Sequence, residues 1–167
     1  MTHSENKLEW CLKKAEKEGR KHRGLKKIKP SKEEAEKHLE KAEHNINVMK
    51  YLVEGKFYDW VIPVAFYTHY HCLLAILQKF GYESRNQECT FAVIEELIEK
   101  KKIDMKKEEL SKIFKNDNGG ELEILDMVHL REQFQYGTET LFEEKRIDEM
   151  QTEAIRFLEK IKTIIES

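Results

Sequence analysis

From Phe57 to Tyr82 the chain reads FYDWVIPVAFYTHYHCLLAILQKFGY, apolar on nearly every helical face, with Asp59 and Lys79 its only formal charges. A helix apolar all round is either a core helix or a membrane span. Here Pro63, Tyr67, Thr68, His69, Tyr70 and His71 interrupt the run before about 18 consecutive apolar residues accumulate, so the pattern predicts a core helix and no membrane span. Gly81 is its stop, Asp59 a candidate cap, and Pro63 then falls near the first turn, where a missing N–H costs little.

The flanking segments alternate with the period of amphipathic helices. Ala35, Leu39, Ala42, Ile46, Met49 and Val53 form one stripe, opened by Ser31 with Glu34 three residues on and closed by Gly55. The short Gly55–Lys56 turn makes this helix and the core helix antiparallel neighbours. A third helix is expected from about Glu88 to Lys101, with Val93, Ile94, Leu97 and Ile98 inward and Ser84 or Asn86 as cap. Asp104 can cap a short fourth helix bearing Leu110, Ile113 and Phe114, before NDNGG makes a turn. A further helix runs from Glu121 to Gly137, and a last one from about Arg146 repeats Ile147, Met150, Ala154, Leu158, Ile161 and Ile165. Leu8, Cys11, Leu12 and Ala15 mark a short amphipathic helix at the N-terminus. The fold class is therefore all-α: an antiparallel up-and-down bundle of about five main helices plus an N-terminal helix, with no strand pattern.

Composition divides the chain in two. Residues 1–30 form a basic helix and linker and 31–167 the bundle; Met1 to Lys29 holds ten Lys/Arg against four Asp/Glu, the remainder twenty against twenty-eight. Such an arm can meet phosphate or an acidic surface, or it can pair with the acidic body of its own chain. At 167 residues the chain fits one domain whose core needs no disulfide or metal. Cys11, Cys72 and Cys89 are odd in number and far apart, which predicts reduced thiols in a cytoplasmic protein. The opening MTHSENKLEWCLKK lacks the apolar run and cleavage site of a signal peptide.

Candidate chemistry is sparse. His69 and His71 lie two residues apart on a helix and point nearly opposite ways, so they cannot share a metal with Cys72. His38 and His44 lack the Glu three residues earlier that four-helix di-iron sites carry, and both read as surface or flank positions. With no Walker sequence, G-x-S-x-G elbow or paired-cysteine zinc site, neither a cofactor nor a metal is expected. The compact polar group is DMVHLREQFQYG, where Asp126, His129 and Tyr136 fall on roughly one side and Arg131 and Gln135 on another. A buried arginine needs a partner: a carboxylate on a neighbouring helix, a phosphate or a second subunit.

The blocks KAEHNINVMKYLVEGKFYDWVIPVAFYTHYHCLLAILQKFGYESRNQECTFAVIEEL and REQFQYGTE resemble the HEPN superfamily, the nucleotide-binding helical domain of higher eukaryotes and prokaryotes, in a small prokaryotic, archaeal-like branch. The resemblance covers the chain from Lys37 onward and implies a helical bundle that forms a two-fold homodimer. Many members are metal-independent ribonucleases, often toxins beside small nucleotidyltransferases, that share an Arg-x(4–6)-His motif. Arg131 stands at the motif's arginine, but Tyr136 occupies the fifth place after it and His129 lies upstream. Tyrosine, with a reference pKa of about 10 against 6.5 for histidine, is a poor general base near neutrality.

The expected function is accordingly non-catalytic: a HEPN-type dimer binding a nucleotide, RNA or a nucleotidyltransferase partner through Arg131, Gln135 and Tyr136. The alternatives are a metal-independent ribonuclease using Arg131 with His129 or Tyr136, and a purely structural interaction protein.

Overall fold

The computed structural model describes residues 1–114 and 126–167. The turn expected at NDNGG and the first turns of the helix expected from Glu121 lie outside the described residues. Seven helices occur among them: α1 (His3–Glu18), α2 (Lys32–Glu54), α3 (Tyr58–Phe80), α4 (Gln87–Glu99), α5 (Lys107–Ile113), α6 (Met127–Tyr136) and α7 (Glu144–Glu166). This is the all-α bundle that the periodicity predicts.

Helix α3 is the axis. It packs on α2, α6, α7 and α4 and buries Val61, Ile62, Ala65, Phe66, Leu73, Ile76 and Leu77. By length and composition it could cross a membrane, but 67% of its most apolar window is buried inside the bundle. Phe57 occupies the cap position, so Asp59 is a first-turn carboxylate facing the positive helix end, and Pro63 stands inside the helix. The helix stops where φ turns to 84° at Gly81. There a Cβ would also lie 2.8 Å from the Ile28 carbonyl oxygen, so glycine is required on two counts.

Helix α2 returns antiparallel to α3 through the Gly55–Lys56 turn, and Ser31 caps it by accepting from the Glu34 N–H at 3.1 Å. Glu34 does not complete the reciprocal box; its carboxylate takes Lys37 Nζ at 2.6 Å. Helix α7, amphipathic throughout, runs parallel to α3: His69 stacks on Phe157, and Lys79 donates to the Ile164 and Ser167 carbonyls at the α7 C-terminus. A cation there satisfies carbonyls the helix cannot pair itself. Helix α5 begins after Lys106, so Asp104 is not its cap.

Two features depart from the expectations. The basic link contains a strand, β1 (Leu25–Lys27), antiparallel to β2 (Tyr82–Ser84), with Lys26 opposite Glu83. Three residues are too few for alternation to register as a strand pattern. The second departure is chemical: Cys11 of α1 and Cys89 of α4 form a disulfide, leaving Cys72 alone free and buried. The expectation of three reduced thiols is overturned, and the cysteine count no longer supports a reducing compartment.

Candidate functional site

Helix α6 positions the polar group. Asp126, 2% exposed, caps it by accepting from the His129 N–H at 2.8 Å, and the same Oδ1 lies 2.6 Å from His129 Nδ1. The cap therefore orients the imidazole as well as the backbone. Four residues after Leu130, Phe134 continues the buried side of the helix, and this register turns Arg131 inward.

Arg131 is only 6% exposed. Its Nη1 donates to the Tyr67 hydroxyl at 2.9 Å, and its guanidinium lies over the Phe66 ring at 4.7 Å and the Tyr67 ring at 5.7 Å. Glu132, the next residue on the same helix, approaches Nη2 only to 3.5 Å and is half exposed. The arginine is thus held by two aromatic faces and one hydroxyl of α3, and among the described residues not by a carboxylate on a neighbouring helix. Among the described residues Arg131 Nε and Gln135 Oε1 are buried without a hydrogen-bond partner. They lie one helical turn apart, so a donor and an acceptor remain unspent on the same side of α6.

Tyr136 sits elsewhere. It is 75% exposed, on the side of α6 that also carries His129, since positions seven apart nearly coincide around a helix. Arg131 and His129, two residues apart, are turned about 200° from one another. The site residues therefore divide: Arg131 and Gln135 face α3, while His129 and Tyr136 face outward.

Tyr67 and Phe66 are the residues that sequence reasoning did not attach to the site. Their signal was available only as aromatic excess on α3, which a bundle core explains equally well. Tyr67 lies on a partly covered side of α3: Trp60 is 53% exposed, and Val64, Tyr67, His71, Leu74 and Gln78, at helical spacing, are half-buried. His71 meets α2, and its Nδ1 lies 3.0 Å from that of His38. His69, on the opposite side, meets Phe157 of α7.

The structure is thus a helical bundle in which a buried guanidinium lies over two aromatic rings of α3. A model of the HEPN domain family matches residues 35–166, and the chain belongs to that family. The match begins in α2, so α1 and the β1 strand precede it. A search among curated proteins finds no significant relative. Family membership carries a general association with nucleotides and RNA and a frequent tendency to dimerise.

Proposed function

We propose that this chain is a non-catalytic HEPN-domain dimer that binds RNA or a nucleotide at the edge of its dimer face. The observation that carries the reading is the partly covered stripe Trp60, Val64, Tyr67, His71 and Leu74 on α3, with Arg131 bonded to Tyr67. A self-complementary apolar stripe on a core helix suits a two-fold interface, where each copy completes the cover of the other. Arg131 supplies a charge-assisted donor beside that interface, Gln135 a second polar group, and the exposed Tyr136 ring a stacking surface for a base.

Catalysis by the family motif is disfavoured on geometry. Arg131 and His129 diverge around α6, and Tyr136 stands where the motif has histidine, so no group titrating near neutrality joins the arginine on one phosphate. A nucleotidyltransferase partner is a second reading, for which the exposed Leu141 of the α6–α7 connection and the exposed Tyr136 are the apolar residues available to cover.

Light scattering is expected to give a dimer that Trp60→Glu dissociates. Fluorescence anisotropy with labelled single-stranded RNA is expected to weaken about tenfold in Tyr136→Ala, which leaves the core untouched. The RNA should remain intact without metal. Cleavage that disappears in Arg131→Ala would establish the ribonuclease alternative, and a monomer with no affinity for RNA or nucleotide would leave only the interaction protein.

A further inference from the structure

On the far side of α3 from Tyr67, a cavity of about 310 Å3 opens between α3, α5, α6 and α7. Its volume is at the lower end of the range for organic-ligand pockets. Ile113, Met127, Met150 and Phe157 make the walls apolar, and His69 stands among them, 3% exposed and stacked on Phe157 with ring centroids 4.8 Å apart.

The state of His69 is fixed by its own helix. Nδ1 lies 2.9 Å from the Ala65 carbonyl oxygen, which can only accept, so Nδ1 carries the hydrogen and Nε2 presents a lone pair. Among the described residues Nε2 has no hydrogen-bond partner. Burial, the largest influence, lowers the pKa of the ring below the ordinary imidazole value. Nε2 is not itself fully buried; it reaches the accessible space of the cavity, where a ligand donor can meet its lone pair.

The mouth selects no charge. Glu153 is paired with Arg156 at 2.6 Å and Glu109 with Lys160 at 2.6 Å, while Arg146 lies over the Phe142 ring at 4.6 Å. Glu149 and Lys112 on the rim oppose one another in sign. Discrimination therefore falls to the interior, where two thioethers and two stacked rings suit a flat, polarisable molecule.

We propose that this cavity binds a small neutral aromatic or heteroaromatic molecule bearing one N–H or O–H donor, which His69 Nε2 accepts. The site is separate from the Arg131 surface and does not depend on RNA binding.

Indole and benzothiophene, isosteric except for the N–H, are suitable probes. With methyl-13C methionine in the full chain, indole is expected to shift the Met127 and Met150 methyl resonances and leave that of Met49, buried against α3, unmoved. Benzothiophene should bind about fivefold more weakly or worse, the loss of one hydrogen bond. His69→Phe keeps the ring stacked on Phe157 and is expected to abolish the preference for indole. Met150→Trp fills the cavity from its wall and is expected to abolish both probes' binding. Equal affinity for the two probes in the native chain, shifts away from Met127 and Met150, or no shifts at millimolar probe would overturn the proposal. If His69→Phe does not fold, the probe comparison and Met150→Trp decide it.

Discussion

Two imidazole nitrogens 3.0 Å apart, Nδ1 of His38 and Nδ1 of His71, can share a hydrogen bond only if one donates and the other accepts. A second proton would set two N–H groups against each other in a half-buried contact between α2 and α3. Burial first, then His38 and Lys41, push the pKa of His71 down to about 4, and burial also lowers that of His38, opposed by Glu34. The unfolded chain therefore binds protons that the folded chain refuses between about pH 6.5 and about 4, so stability is full above that window and falls as the pH drops through it. Thermal denaturation at pH 7 and pH 5 should show native stability dropping more than that of His71→Gln, whose side chain does not titrate. Equal losses in the two proteins would mean that the pair is not the acid-sensitive element. The pairing was legible in principle: His38 and His71 lie at nearly equal distances along the chain from the Gly55–Lys56 turn, and such positions face each other in an antiparallel hairpin. Taken one at a time, each histidine carries no such signal.

At the scale of elements, the long helices were readable from their apolar positions, with a cap or a stop to bound α2, α3 and α4. Ser31 and Gly55 bracket α2, Gly81 ends α3 and Asn86 caps α4 by accepting from the Cys89 N–H at 2.9 Å. What escaped depends on adjacency that spacing does not encode. Cys11 lies on the inward side of α1 with Leu8 and Ala15, Cys89 in the first turn of α4, and only their packing brings together residues separated by 78 positions. The inward orientation of Tyr67 toward α6 escaped for the same reason. A cross-link closing so long a loop restricts the unfolded chain by about 4 kcal/mol in the loop-closure account. Reduction should accordingly lower the melting temperature by roughly 10 °C, since each kcal/mol shifts a domain of this size by about 2–4 °C. Calorimetry with and without a phosphine reductant measures this, and Cys11→Ser should melt at the reduced protein's temperature in both conditions. An unchanged transition would show that the noncovalent contacts of α1 with α4, such as Ser4 with Glu99, hold the arm unaided.

Across the whole molecule, the basic arm is part of the body. Leu8, Cys11, Ala15 and Leu25 are buried, Lys7 pairs with Glu88 of α4, and the backbone of β1 pairs with β2, so removing residues 1–29 would strip the cover from α4 along with the charge. The role of the arm in RNA binding has to be tested by charge alone. Lys26 and Lys27 are exposed on β1, the short edge of the ribbon, and neither forms an ion pair among the described residues. If these lysines contact RNA phosphates, each releases counterions on binding, and the slope of log affinity against log salt falls by about 0.7 per contact for a single strand. Lys26→Gln with Lys27→Gln should then flatten the slope by about 1.4 while leaving the melting temperature unchanged. By contrast, Tyr136→Ala should weaken binding at every salt concentration with the slope intact, because stacking displaces no counterion. A double variant with the native slope would confine the arm to covering α4 and leave recognition to the α6 surface, whereas a flattened slope would join the two ends of the chain in one RNA-binding face.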